Sequence, residues 1–337
     1  MTLTPALRDL YAQRRLHLAQ QLGPGGIAIV PTAPSYPRNR DSEFPYRHDS
    51  YFYYLCGFTE PNAWLLISAE GETTLLCQPK DLEREIWDGY RLGPDAAAAA
   101  LGVQHAASSQ EIEQRLPRLL ENRQTVWFPF ATHEGLPQRI DGWLSKVRAR
   151  VRFGVQCPSQ QRDLCGLLDE MRLVKDGHEL DLMRRAARIS ADAHVRAMQV
   201  CARRLRAGET VREYHLDAEL LHEFRTHGSQ FPAYGSIVAA GANACVLHYI
   251  ENNQRITDGD LILIDAGCEY ASYASDLTRT FPVNGRFEGA QKDVYELVLA
   301  AQLACLDAVR PGAPFHDYHK VAERVLAPLG RRVSALA

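Results

Sequence analysis

Residues 261–282 constrain the fold more than any other stretch of the chain. An apolar run, Leu261-Ile262-Leu263-Ile264, ends in Asp265; eleven residues later Asp276 opens the return Leu277-Thr278-Arg279-Thr280-Phe281, closed by Pro282. The pattern predicts two strands of a β-hairpin with a carboxylate at the inner end of each. A carboxylate ending an otherwise buried strand must be compensated, because an unpaired buried charge is too costly to keep. Two of them facing each other call for a cation between them. Carboxylate oxygens suit hard divalent cations such as manganese or magnesium, and one carboxylate can bridge two ions. Taken alone, each aspartate reads more simply as a turn residue; the surrounding text shifts the balance.

That text is Phe231-Pro232-Ala233-Tyr234, then Cys245-Val246-Leu247-His248-Tyr249, then Asp260 through Tyr270, then Asp276-Leu277-Thr278-Arg279-Thr280-Phe281-Pro282-Val283-Asn284-Gly285. From Phe224 to Pro311 the chain resembles aminopeptidase P, the Xaa-Pro aminopeptidase branch of the pita-bread metallopeptidases. A second resemblance lies upstream. Arg38-Asn39-Arg40-Asp41-Ser42-Glu43-Phe44-Pro45-Tyr46-Arg47 and Tyr53-Tyr54-Leu55-Cys56-Gly57-Phe58-Thr59-Glu60-Pro61 are similar to the amino-terminal domain of the same family.

The resemblance implies an α/β amino-terminal domain over 1–173 and an α+β pita-bread catalytic domain over 174–337, the latter incomplete. It implies two divalent metal ions, with Mn2+ expected, about 3.5 to 4 Å apart in such sites and holding a hydroxide that attacks the scissile carbonyl. Asp265 would bind one ion through both oxygens and Asp276 would bridge the pair. His248 would stand beside the substrate as a hydrogen-bond or proton-transfer partner, the alternative being a core histidine satisfied by backbone. Tyr234 would orient a metal ligand through its hydroxyl or serve in packing. Asp41 and Trp87 would help wall a neighbour's active site in a homo-oligomer, dimer or tetramer; otherwise Asp41 caps a turn and Trp87 fills the core. The substrates implied are peptides with proline in the second position, whose peptide bond lacks an N–H. Prolidase is the nearest competing activity, and a non-catalytic peptide-binding remnant of the fold the alternative class; creatinase, which works without metal, is disfavoured by the intact aspartates.

The family's pattern continues past this chain's last residue with a histidine and two glutamates that complete the metal set. Two carboxylates cannot enclose a dinuclear centre, so the expectation is a carboxy-terminally truncated chain with little or no activity by itself.

Composition fits these expectations. At 337 residues and 46% hydrophobic content the chain can fill two domain cores. The net charge of -3 leaves no electrostatic footprint for nucleic acid or a membrane surface. Eight dispersed cysteines without a C-x-x-C pair read as buried thiols in a reducing compartment. Residues 1–22 read as an amphipathic helix without a signal peptide's apolar core, and no stretch is long and apolar enough to span a membrane, so a cytoplasmic protein is expected.

Gly23-Pro24-Gly25-Gly26 lacks phosphate-loop spacing and reads as a turn into the strand Ile27–Val30. Strands over 63–68 and 73–77 and helices over 95–101 and 109–121 follow. A hinge is expected over 171–177, before a long helix in which Leu182, Ala186, Ile189, Ala193, Ala197 and Val200 form an apolar stripe and Arg184, Arg185 and Arg188 a solvated face. A last helix is expected over 318–326. His222 and His227 are five apart, too far out of line for a zincin pair; His316 and His319 share a face without other ligands.

Overall fold

The computed structural model describes residues 3–333; residues 1, 2 and 334–337, where the outer limits of the two expected domains fall, lie outside them. The chain divides into two compact units, the first ending at Asp176 and the second beginning at Gly177.

In the first unit α1 (Pro5–Gln21) leads into β1 (Gly26–Pro31), and β2 (Pro37–Asn39) and β3 (Ser42–Glu43) form a small ribbon. Then come α2 (Ser50–Cys56), β4 (Trp64–Ser68), β5 (Thr73–Cys77), α3 (Leu82–Asp88), α4 (Pro94–Leu101) and β6 (His105–Ser108). The unit closes with α5 (Ile112–Leu120), β7 (Thr125–Phe128), α6 (Leu136–Arg148), β8 (Gln160–Asp163) and α7 (Cys165–Leu173). The six-stranded sheet runs β6-β5-β4-β1-β7-β8, with β4 antiparallel to both its neighbours and the other pairs parallel. Helices cover both faces, which is why β1 is buried along its whole length. Ala28 and Val30 pack with residues of α1, α2, α4 and α7; Ile27 and Ile29 pack with α5 and α6. The α/β architecture expected for this half is what the chain forms.

The first helix departs from the amphipathic expectation. Arg14 and Arg15 are 6% and 3% exposed, not solvated. Arg15 Nη1 donates to Leu55 O at 3.0 Å, and Arg14 donates to Tyr54 O at 3.1 Å and to Asp176 at 2.7 Å. The last carbonyls of α2 have no intrahelical donors, and guanidinium groups reaching across from α1 satisfy them. These contacts offset part of the cost of burying the two charges.

His48 stacks on Tyr53 with ring centroids 4.5 Å apart. Burial, and then the neighbouring Arg47 charge, push its pKa from 6.5 down to about 4. The unfolded chain therefore binds more protons than the folded one between these values, so stability is lost as pH falls through that window. The urea midpoint is expected to drop between pH 6.5 and pH 4, and His48→Phe, which keeps the ring stack, to make that slope shallower; an unchanged slope would refute the assignment.

In the second unit α8 (Gly177–Arg206) and α9 (Glu213–Thr226) precede β9 (Phe231–Pro232), β10 (Ile237–Ala240), β11 (Leu261–Ala266), β12 (Cys268–Tyr270), β13 (Tyr273–Ala274) and β14 (Leu277–Pro282). Helices α10 (Gly289–Ala308) and α11 (Phe315–Val333) follow, the latter longer at both ends than the helix expected over 318–326. Ala186, Ile189, Ala193 and Ala197 of the α8 stripe join Phe224, Ile262, Ile264 and Ala266 in one core, while Arg184 and Arg188 are exposed. Strand β11 is buried on one face only, alternating half-buried and buried along its length. The strand expected to be buried throughout is therefore one-sided, and Asp265 stands on its half-buried face.

The hairpin is not continuous. β11 pairs with β14 in a sheet ordered β10-β11-β14, whereas β12 and β13 pair with each other in a second sheet, β13-β12-β9. The ladder breaks at Gly267 and Ser275, where a Cβ on Gly267 would sit 1.7 Å from the Ser275 carbonyl oxygen. Only glycine permits that crossing. Ser275 Oγ and Ser190 Oγ lie 2.7 Å apart, and Cys268 N donates to Ser190 Oγ at 2.9 Å, which fastens the crossing to α8. Among the described residues no helix is long and apolar enough to cross a membrane.

Candidate metal centre

Asp265 pairs with Thr278 across β11 and β14, and Asp276 lies two residues before Thr278. Side chains two apart on a strand share a face. The two carboxylates therefore stand on the same side of the sheet, the side turned away from α8. Tyr234, in the bend after β9, brings its hydroxyl to both: Oη donates to Asp265 Oδ1 and lies 3.0 Å from Asp276 Oδ1. The bend is pinned to the crossing by Ala233 N donating to Gly267 O at 2.8 Å. One hydroxyl proton shared between two carboxylates relieves part of their mutual repulsion. Burial, then the hydrogen bonds to Asp265 and Asp276, hold the Tyr234 pKa well above its ordinary 10, so the hydroxyl keeps its proton and remains a donor.

The four carboxylate oxygens make a donor set for a hard divalent cation, and the half-exposed position leaves a path to it. Among the described residues no group of three or more His, Cys, Asp or Glu side chains is arranged to hold a metal ion. The pair fits part of a metal coordination sphere.

His248 sits in an exposed turn after a short 3-10 segment, Gly241–Cys245, and makes no hydrogen bond among the described residues. The core-histidine alternative is thereby ruled out. Its neighbour Tyr249 is buried, and its hydroxyl donates to Glu213 Oε2 at 2.8 Å. Glu213, in the first turn of α9, is fully buried and accepts three more hydrogen bonds: Ala240 N at 2.8 Å, Asn243 Nδ2 at 3.1 Å and Gln254 N at 2.8 Å. One carboxylate thus anchors the segment 240–254 that carries His248. Nothing in the sequence singled out Glu213. Its signal, a lone acidic residue opening a helix beside Val211 and Leu216, is shared by ordinary exposed first-turn glutamates.

In the first unit Asp41 lies in the exposed turn between β2 and β3. Trp87 is 85% exposed on α3, so the alternative that it fills the core fails. Leu82, Ile86 and Tyr90 are 76%, 81% and 93% exposed alongside it, and α3 buries no residue. Of the four histidines read as non-ligands, two stand beside carboxylates: His227 Nδ1 lies 3.2 Å from Glu223 and His319 Nε2 3.4 Å from Glu323.

Residues 11–127 match the family "Aminopeptidase P, N-terminal domain", and residues 181–334 match "Metallopeptidase family M24". Together with the fold, these define a pita-bread metallopeptidase domain preceded by an aminopeptidase P amino-terminal domain. The "Xaa-Pro aminopeptidase" of Escherichia coli K12 is 42% identical over 309 residues, 90% of this chain and 69% of that protein. "Xaa-Pro aminopeptidase 3" of Homo sapiens is 31% identical, over 99% of this chain and 66% of that protein. The structure of Pseudomonas aeruginosa aminopeptidase PepP superposes with a TM-score of 0.92 at 47% identity, covering 98% of this chain and 74% of that one. Zinc-substituted E. coli aminopeptidase P in complex with product gives a TM-score of 0.91 at 39% identity, covering 97% and 73%. The chain belongs to the Xaa-Pro aminopeptidase branch of metallopeptidase family M24.

Proposed function

We propose that this protein is a metal-dependent aminopeptidase that releases the amino-terminal residue from peptides with proline in second position. The observation that carries the reading is the convergence of Asp265, Asp276 and the Tyr234 hydroxyl on one sheet face, in a chain whose relatives are Xaa-Pro aminopeptidases. Asp265 and Asp276 would hold two divalent cations, Mn2+ being the expected metal. Such ions, when bound, supply Lewis acidity and lower the pKa of a water. Tyr234 keeps its proton and holds the two carboxylates in register. His248, carried on a segment tied down through Tyr249 and Glu213, serves as the hydrogen-bond or proton-transfer partner of the scissile peptide.

Two carboxylates do not close a dinuclear coordination sphere. A polypeptide of these 337 residues with excess Mn2+ is therefore expected to give little or no turnover of an Xaa-Pro peptide. Joining it to the part of the E. coli relative that it does not cover is expected to restore release of the amino-terminal residue, read by chromatography of the products. Robust metal-stoichiometric turnover by the 337 residues alone would overturn the first expectation. A well-folded chimera that binds metal but hydrolyses no Xaa-Pro peptide would overturn the proposed activity.

The exposed apolar face of α3 supports a homo-oligomer in which this helix is covered by a second copy; isolated solvation of Leu82, Ile86, Trp87 and Tyr90 together is unfavourable. Ile86→Lys combined with Trp87→Lys is expected to shift the molar mass by light scattering to that of a smaller species. An unchanged mass would remove α3 from the interface.

A further inference from the structure

The sheet of the first unit has a topological switch between β1 and β7. The chain leaving β1 passes through α2, packed on one face, and returns at β4; the chain leaving β7 passes through α6, packed on the other face, and returns at β8. Parallel neighbours whose outgoing connections diverge to opposite faces leave a crevice beyond their carboxyl ends, and such crevices are where α/β sheets take ligands. In this chain a cleft of about 310 Å³ lies there, lined by Thr32, Asn62, Trp64, His133, Glu134 and Arg139 among others.

The lining carries complementary chemistry. The Arg139 guanidinium lies 4.6 Å from the Trp64 ring centroid and 5.1 Å from that of Trp143, and so is held against two aromatic rings at the cleft. Its partner Glu113 is shared: it also takes Lys146 Nζ at 2.8 Å and Trp143 Nε1 at 3.0 Å. Two cations for one carboxylate leave Arg139 with charge to spare for an anion. Helix α6 begins beside the cleft, but Leu136 N already donates to His133 O at 3.3 Å and Pro137 has no N–H, so anion recognition there falls to Arg139. His133 Nε2 is buried and makes no hydrogen bond, standing 3.6 Å from Asp49 Oδ2. Glu134, exposed at the rim, adds a fixed negative charge. Pro31 and Pro34 add apolar surface beside Trp64.

We infer that this cleft is a binding site for a free amino acid with an apolar side chain. The carboxylate is received by Arg139, the ammonium by Glu134, and the side chain by Trp64 and the prolines. The site is built entirely from the first unit and is independent of Asp265 and Asp276, so it stands or falls separately from the proposed peptidase activity.

Isothermal titration of the full chain without metal, with L-leucine and L-proline as probes, tests it. Saturable one-to-one binding of at least one of them is expected, weakened at least tenfold by Arg139→Gln and by Glu134→Gln, with acetate binding at least tenfold more weakly than the amino acid. Both positions are exposed, and circular dichroism with the thermal midpoint checks that each variant folds. No saturable heat with either amino acid, binding unaffected by both substitutions, or acetate or inorganic phosphate binding as tightly as the amino acids would each overturn the inference.

Discussion

Asp276→Asn, placed in the active chimera, is expected to lower kcat/KM for an Xaa-Pro peptide by at least about 10³-fold, a loss of about 4 kcal/mol of transition-state stabilisation. The amide keeps the shape and one acceptor oxygen, so the Tyr234 contact and the sheet register survive; what disappears is the negative charge that holds a cation. The change is expected to appear as lost metal stoichiometry by elemental analysis together with lost turnover, at an unchanged thermal midpoint of the metal-free protein. Full activity in Asp276→Asn would remove this residue from the metal set. Asp265→Asn makes the matching test from the other strand, since both carboxylates reach the same hydroxyl.

Glu213→Leu is the second large effect, and it concerns stability. The side chain is fully buried and receives four hydrogen bonds, from Ala240 N, Asn243 Nδ2, Tyr249 Oη and Gln254 N. A leucine of similar volume leaves two buried backbone donors and the Tyr249 hydroxyl without that acceptor, while Asn243 Nδ2 keeps Tyr249 Oη at 3.1 Å. Removing one partner of a buried charged network costs about 3–5 kcal/mol. Urea unfolding of the metal-free chain is expected to show a loss of that size. Glu213→Gln, which retains an acceptor oxygen, should lose less, because an amide still accepts from some of the four donors. A loss below about 1 kcal/mol in Glu213→Leu would mean that the segment 240–254 is held by other contacts, and that Tyr249 does not tether His248.

The local patterns explain how much was legible. The strand-forming runs of β11 and β14, the helical stripe of α8 and the glycine turn before β1 are encoded within single elements, although the one-sided burial of β11 is not visible in its continuous apolar run. The two aspartates are different: each ends or opens a strand, a position that alone reads as a turn, and the resemblance of the surrounding segments is what marked them as metal ligands. Trp87 marks the opposite case. An aromatic residue in a short polar helix can face a core or a solvent-exposed surface with equal local sense, and only the positions of neighbouring elements leave it 85% exposed.

The sequence by itself determined the strands, the long helix, and the pair of carboxylates with the tyrosine segment that resembles a metallopeptidase site. Only the tertiary structure decided that the hairpin breaks at Gly267 and Ser275 into two sheets, that Arg14 and Arg15 turn inward to α2, and that Glu213 gathers a segment reaching as far as Gln254, forty-one residues away. The physical reason is common to all three. Each depends on which polar group arrives from a distant part of the chain to satisfy a buried donor or acceptor, and the free energy of that meeting belongs to the pair, not to the local pattern of either partner.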